Sequence, residues 1–282
     1  MARSPSSSVQ AAREALAARL REIRLDAGLT AREVAIAAGW HPSKASRLEN
    51  AVTPPSDADV RTWCRLCGAD DHAADLIAAS RSAESMYVDW RRLQRTGLRR
   101  LQESYVPLFE RTRNFRIYCS NVVPGLLQTP AYATALLSQI TDFRQTPNDV
   151  TEAVAARMDR ARVLREGDHR FAILVEEAVL RHRIGDAEVM AGQLGHLLSI
   201  MSLPAVSLGV VPFTATRSMW PLETFSVYDG EQAQVELLTA AVNVTAPSEI
   251  EQYARAFDRL SQVTVYGAPA RALITQAIEA LG

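Results

Sequence analysis

Lysine is nearly missing from this sequence: Lys44 is the only one among 31 basic residues. The bias toward arginine, with abundant alanine, reflects a GC-rich coding sequence rather than a function. Cysteine is scarce as well, and three of them, Cys64, Cys67 and Cys119, do not make a disulfide framework. No apolar run is long enough to cross a bilayer and no signal-peptide pattern is present, so a cytoplasmic protein without membrane contact is expected. The five histidines, at 41, 72, 169, 182 and 196, lack metal-ligand spacing. Gly-x-Ser-x-Gly, Walker and dinucleotide-type glycine patterns are absent too; Gly192 and Gly195 fall inside an expected helix. No catalytic residue, metal or cofactor is therefore expected, and the chain does not read as an enzyme. A surplus of charge is also missing. With 31 basic against 32 acidic side chains the net charge is −1, which argues against binding a polyanion over the whole surface.

What is present is apolar mass, 48% of 282 residues, enough for a sizeable core in a chain long enough for two domains. The most organised stretch runs from Leu16 to Asn50. Leu16, Leu20 and Ile23 lie at i, i+4, i+7, one apolar stripe on a first helix that Gly28 stops. Thr30 caps a second helix and Glu33, three residues on, completes a capping box. Val34, Ala35 and Ala38 give it a face of small side chains that another helix can cross closely. Gly39 falls where a turn between crossed helices needs a residue without Cβ. A third helix starts at His41-Pro42, with proline in the first turn where its missing N–H is not needed. Ala45 and Leu48 point inward from it and Ser43, Lys44, Ser46 and Arg47 outward.

Two helices, a glycine turn and a basic third helix resemble the helix-turn-helix of the Xre/phage-repressor family, down to the closing Ser46-Arg47-Leu48-Glu49-Asn50. The resemblance implies double-stranded DNA as partner, with the third helix in the major groove. It also implies a structural ion pair between Arg24 and Glu49. Arg47 is the first candidate for guanine, because its fork can contact O6 and N7 together. Ser43, Lys44 and Ser46 are candidates for bases or phosphate. Amides opening the second and third helices, around Thr30, Ala31, Arg32 and His41, are candidates for phosphate, and Asn50 closes the surface. Pro42 departs from the family, where that slot often carries a polar base-reading side chain, so readout leans on fewer residues. The footprint depends on placement, since Arg13, Arg19, Arg21, Arg24, Arg32, Lys44 and Arg47 are nearly cancelled by Glu14, Glu22, Asp26, Glu33 and Glu49. A homodimer is expected, because one such module makes too few contacts for useful specificity.

Around this module, residues 1–8 read as a disordered arm. A fourth helix capped by Ser56 or Asp57 carries Val60, Trp63, Cys64 and Leu66, and a fifth, opened by Asp70 or Asp71, carries Leu76, Ile77 and Met86. Cys64-Arg65-Leu66-Cys67 is formally C-x-x-C. Zinc would need two more ligands and only His72 is near, so buried helix cysteines are the better reading. Tyr87–Arg113 reads as one or two helices with Trp90, Leu98, Leu101 and Phe109 on one face and Arg91, Arg92, Arg95, Arg99 and Arg100 on the other. That is a solvated connector or, less in keeping with its composition, a second basic surface.

The text then changes. Phe115–Cys119 is strand-like and is followed by Val123-Pro124-Gly125-Leu126-Leu127-Gln128-Thr129, with Tyr132 and Ala133 beyond. Pro124-Gly125 makes a turn and Thr129-Pro130 a helix start. This run resembles the signature of the domain of unknown function that follows an Xre-type module in actinomycete WhiJ-like regulators. An arginine-rich amphipathic helix at 149–166, the Phe171–Arg181 strand ending in Glu-x-x-Leu-Arg, and Gln193-Leu194-x-His196-Leu197 agree with it. The resemblance implies a small protein partner encoded nearby; a small-molecule effector is the other expectation. Val206–Pro212 reads as a strand, Thr224–Asp229 and Gln234–Leu238 as a hairpin around Gly230, and Pro247 and Pro269 as helix starts. The densest polar cluster, Glu176, Glu177, Arg181, His182 and Arg183, stands at a strand end, where a pocket can sit, although ion pairs fixing the strand-to-helix corner are the better reading. Arg217 and Trp220, in the loop Phe213–Leu222, suggest a lid, a partner contact or a core plug. Glu176, Arg181, Arg217 and Trp220 are the candidates for a ligand or partner.

The expected architecture is thus a mainly α N-terminal helix-turn-helix domain of five helices at 9–84, a helical connector at 85–114, and an α+β domain with a mostly antiparallel sheet at 115–282. The expected function is sequence-specific transcriptional regulation. An alternative is a DNA-binding, antitoxin-like member of a two-protein pair.

Overall fold

The computed structural model describes residues 5–82, 87–90 and 94–282. It divides into two compact units, one running from the N-terminal region to Tyr87 and including Asn243–Ile250, the other comprising Val88–Val242 and Glu251–Gly282.

The first unit is built from helices α1 (Pro5–Asp26), α2 (Ala31–Ala37), α3 (Pro42–Glu49), α4 (Asp57–Leu66) and α5 (Ala73–Ser82), with a 3₁₀ turn at Asp70–His72. The α1 stripe Leu16, Leu20 and Ile23 packs on Val34 and Ala35 of α2, Ala45 and Leu48 of α3, Val60 and Trp63 of α4, and Leu76 and Ile77 of α5. Small side chains at 34, 35 and 45 let the helices cross closely, and Trp63 fills the centre while its Nε1 donates to the Leu20 carbonyl at 3.0 Å. Both ends of α2 are closed locally. Thr30 and Glu33 form the reciprocal capping box, and past the C-terminus Gly39 adopts φ +66° while Trp40 N–H donates to the Ala35 carbonyl at 2.8 Å. A Cβ on Gly39 would meet nothing within 4 Å, so the left-handed backbone, not space, selects glycine there.

Two expectations change here. Residues 1–4 of the arm lie outside the described residues, but Pro5 to Ser8 already belong to α1, since a proline in the first turn costs no hydrogen bond and the serines after it do not break the helix. Asn243–Ile250 also returns to this unit from far along the chain, with Asp75 accepting from the Ser248 N–H at 3.1 Å and from its hydroxyl. Met86, placed on the fifth helix by its sequence, lies outside the described residues.

The rest of the chain, most of it in the second unit, forms β1 (Tyr87–Asp89), α6 (Arg99–Ser104), α7 (Val106–Arg111), β2 (Asn114–Cys119), α8 (Pro130–Arg144), α9 (Val150–Arg160), β3 (Arg170–Glu176), α10 (Glu177–Arg181), α11 (Ala187–Ile200), β4 (Val206–Val211), β5 (Phe225–Tyr228), β6 (Gln232–Glu236), β7 (Ala240–Val244), α12 (Pro247–Gln262) and α13 (Gly267–Glu279). The expected helical connector is corrected. Tyr87–Asp89 is a strand, and Leu98, Leu101 and Phe109 are buried, so the segment builds the core instead of bridging solvent. Arg91, Arg92 and Leu93 lie outside the described residues; Arg95, Arg99 and Arg100 are exposed.

The sheet is seven-stranded, in the order β1-β7-β6-β5-β2-β3-β4. It is mixed, not mostly antiparallel: β2, β3 and β4 run parallel in the registers Phe115↔Phe171 and Phe171↔Val206, while β5 is antiparallel to both β2 and β6. The connections dictate this. Helices α8 and α9 lie between β2 and β3, and α10 and α11 between β3 and β4, and such helical crossovers join parallel strands. Tight turns join β5 to β6, where Asp229 and Gly230 both take positive φ, and β6 to β7, where Leu237 N–H donates to the Ala240 carbonyl at 2.8 Å. Parallel central strands are covered on both faces, and Ile173, Leu174, Val175 and Glu176 of β3 are accordingly all buried. Phe115 and Phe171, opposite one another in the register, stack with centroids 4.5 Å apart.

Candidate nucleic-acid interface

The outer face of α3 is composed of residues whose inner neighbours fix them. Ala45 and Leu48 are buried, which leaves Ser43, Ser46 and Arg47 exposed on the other side. His41 caps the helix. Its Nδ1 accepts from Ser43 N–H at 3.3 Å and lies 2.8 Å from Ser43 Oγ, so Ser43 is oriented before any ligand arrives. At the other end Asn50 Nδ2 donates to the Ser46 carbonyl at 2.7 Å. Past it Ala51 takes φ +54°, with Val52 N–H donating to the Arg47 carbonyl at 3.0 Å. Thr30 and Arg32 are exposed and Ala31 half-buried at the start of α2.

The implied Arg24–Glu49 pair is formed. Arg24 donates from Nε to Glu49 Oε1 at 2.5 Å, from Nη2 to Oε2 at 3.2 Å and from Nη1 to the Leu29 carbonyl at 2.6 Å. One guanidinium thereby ties α1, the α1–α2 turn and the end of α3, with both side chains under 10% exposed. Two-pronged geometry and a third acceptor offset the desolvation of the two charges.

Lys44 is placed differently from expectation. Its Nζ donates to Asp59 Oδ1 at 2.6 Å and sits 4.5 Å from the Trp40 ring centroid. The chain's only lysine is therefore engaged at the α3–α4 contact, while the Arg47 guanidinium is exposed with no ion pair among the described residues. Burial pulls the Asp59 carboxyl upward, but hydrogen bonds from Lys44 and Ser56 and the Lys44 charge outweigh it and hold the group below its ordinary range. Glu33 is likewise held low, by the backbone and side-chain hydrogen bonds of Thr30. Cys64 is buried and its thiol is pushed up to about 11 by desolvation, the opposite of what a metal ligand or redox thiolate needs. Among the described residues no cluster of His, Cys, Asp or Glu could hold a metal ion, and no helix is long and apolar enough to cross a membrane.

Comparison with known proteins agrees with this geometry. Residues 15–77, the span of α1 to α5 that packs around Trp63, match a helix-turn-helix domain, the module of DNA-binding regulators. Residues 102–276 match a domain of unknown function, DUF5753. The chain belongs to the DUF5753 family. No curated protein and no solved structure matches it.

In the DUF5753 region the polar cluster singled out from sequence resolves into corner-fixing bonds. Glu176 accepts from Tyr118 Oη at 2.7 Å and from both Arg217 Nη atoms. Glu177 accepts from Arg181 Nη2 at 2.9 Å and, through its other oxygen, from Phe213 N–H at 2.9 Å. Every carboxylate oxygen in that pair has a donor, which leaves Arg217 committed to Glu176 and Arg181 to Glu177 at the strand end. Trp220 is 69% exposed, so it is not a core plug. Sequence reasoning missed the polar residues that line a partly open pocket of the second unit, above all Arg157 and Arg160. A signal was available: Arg157 lies at i+3 and i+7 from the buried Val154 and Val150, on the apolar stripe of α9.

Proposed function

We propose that this chain is a sequence-specific, Xre-type transcriptional regulator in which α3 enters the major groove and the second unit carries the regulatory input. The observation that supports it is the outer face of α3. Arg47 is exposed there beside Ser43 and Ser46, with no ion pair among the described residues, on a helix tied to α1 by the Arg24–Glu49 pair. A fork-shaped cation presented from a rigid helix suits guanine in the major groove. Lys44 contributes to the placement of α3 rather than to base reading. The protein acts as a homodimer on a two-part site, since a single module of this size buries too little surface for useful discrimination. The reading is of a binding protein, not an enzyme.

Selection of duplexes from a random pool by the full-length protein tests this. Enrichment of one motif with two related half-sites is the expected result, and a pool that stays unenriched through successive rounds would sink the reading.

A second reading is supported by one feature of the loop after β4, where Phe213 and Trp220 are 60% and 69% exposed. Two bare aromatics in one loop suit a protein partner, as in a two-protein pair in which this chain is the DNA-binding member. Recovery of a small protein in fixed ratio with the wild type, and its loss from Phe213→Ser/Trp220→Ser, is the result that reading requires.

A further inference from the structure

The second unit holds a partly open pocket of about 300 Å³, between α6, α7, α8 and α9 and the strands β2, β5 and β6. Its walls include Tyr105, Phe109, Phe225 and Tyr228, and its polar lining includes Arg157 and Arg160. Arg160 is 7% exposed, and its guanidinium carbon stands 5.0 Å from the Tyr105 ring centroid and 4.9 Å from that of Phe109. Its Nε is buried without a hydrogen-bond partner. Arg157 donates from Nε to Gln102 Oε1 at 3.0 Å and from Nη1 to Gln128 Oε1. Gln128 is itself held by its own donation to the Val123 carbonyl at 2.7 Å. Gly125 brings backbone against both cations, since a Cβ there would lie 3.4 Å from Arg160 Nη2 and 3.9 Å from Arg157 Cζ. The glycine and glutamine of the Val123–Thr129 run thus have one shared use, shaping the wall around two guanidinium groups.

The contrast with Arg24 and Arg217 is what calls for a ligand. Arg24 has Glu49 and Arg217 has Glu176. Arg160, buried, and Arg157, half-buried one turn before it, have neutral amide and aromatic neighbours and no ion pair among the described residues. Glu236 also lines this pocket and acts on both as a charge, but it is exposed and forms no ion pair with either guanidinium. Burial and the neighbouring Arg160 push Arg157 down to about 10, which still leaves it charged near neutrality. Buried charge without a partner is costly in proportion to its desolvation and is kept where a ligand supplies the counter-charge. Gln94 Oε1, another buried atom without a partner, lines the same cavity.

We propose that this cavity binds a small organic carboxylate, with its anionic group against Arg157 and Arg160 and its apolar body along the aromatic wall. The volume is at the small end for ligand sites, which sets the size at a single ring with a short side chain. The inference deepens the proposed regulatory input of the second unit and rests on that reading only for its purpose, not for its chemistry.

The test is thermal unfolding of the full-length protein, in low-chloride buffer, with 3-phenylpropanoate, its neutral amide and inorganic phosphate as probes. The carboxylate should raise the second unit's Tm by about 3–6 °C at ten times its dissociation constant. The amide should give less than a third of that shift, and phosphate less than the carboxylate. Arg160→Gln should abolish the carboxylate shift without lowering the Tm of the unliganded protein. Equal shifts with carboxylate and amide, a shift with phosphate as large as with the carboxylate, or an undiminished shift in Arg160→Gln would overturn the proposal. If that variant does not fold, the wild type decides, and absence of any carboxylate shift overturns it. DNA is absent from this assay, so its failure leaves the DNA-binding reading standing and a failure to bind DNA leaves this site standing.

Discussion

Lys44 and Asp59 are joined at 2.6 Å across the α3–α4 contact, with the lysine ammonium 4.5 Å from the Trp40 ring centroid. The relationship divides labour on α3. A lysine that sequence alone places among the DNA contacts anchors the helix, and Arg47 is the exposed cation to which the proposed base reading falls.

Substitution separates these roles. Arg47→Ala should lower affinity for the selected duplex by about 1–3 kcal/mol and change binding to scrambled DNA little. Lys44→Ala should weaken both duplexes to a similar small extent while lowering the urea midpoint of the first unit. A larger loss of specificity from Lys44→Ala than from Arg47→Ala, in fluorescence anisotropy, would reverse the assignment.

The same pair sets an acid response. The folded pKa of Asp59 is depressed below its ordinary 3.8, so its contribution is complete well above that value and is lost as pH falls through the lower, folded pKa. Wild type should exceed Asp59→Asn in urea midpoint at pH 7, and the gap should narrow on acidification to about pH 3. An unchanged gap would remove the carboxylate's charge from the explanation.

Arg24 and Glu49 form a buried pair with every strong contact made inside the unit. Removing one partner strands the other. Glu49→Leu or Arg24→Met alone should cost about 3–5 kcal/mol, whereas the double substitution should come within about 1 kcal/mol of wild type or exceed it. Additive losses in urea unfolding would mean that the pair acts through packing rather than charge.

Ala51, past the end of α3, holds φ +54°. A left-handed alanine costs about 1 kcal/mol that glycine does not. Ala51→Gly should therefore raise the stability of the first unit by up to that amount with no change in DNA affinity, as read by calorimetry and anisotropy.

Local rules carried the first unit well. The spacing of Leu16, Leu20 and Ile23, the Thr30–Glu33 box and the positive-φ glycine at 39 each act within one turn of helix, and each is legible in a string of letters. What was not legible acts across the chain. Lys44 and Asp59 are fifteen positions apart and belong to different helices. Ser248 reaches Asp75 from 173 positions away. Strand direction was misread because the hairpin at Asp229-Gly230 announces itself, whereas the parallel pairing of Phe115 with Phe171 follows only from counting the helices between them. The arginines lining the pocket were overlooked for a related reason: an arginine on an amphipathic helix is ordinarily turned to solvent, and only the phase of Arg157 on the α9 stripe says otherwise.

The central claim is sequence-specific DNA binding through α3, and a salt series on two duplexes tests it most directly. Affinity of the full-length protein for the duplex recovered from the random pool and for a scrambled duplex would be measured from low to physiological ionic strength. The expected result is a preference of about 10³ or more for the selected duplex at physiological salt, with log affinity falling linearly with log salt on both. Equal affinity for the two duplexes at every salt concentration would contradict the account.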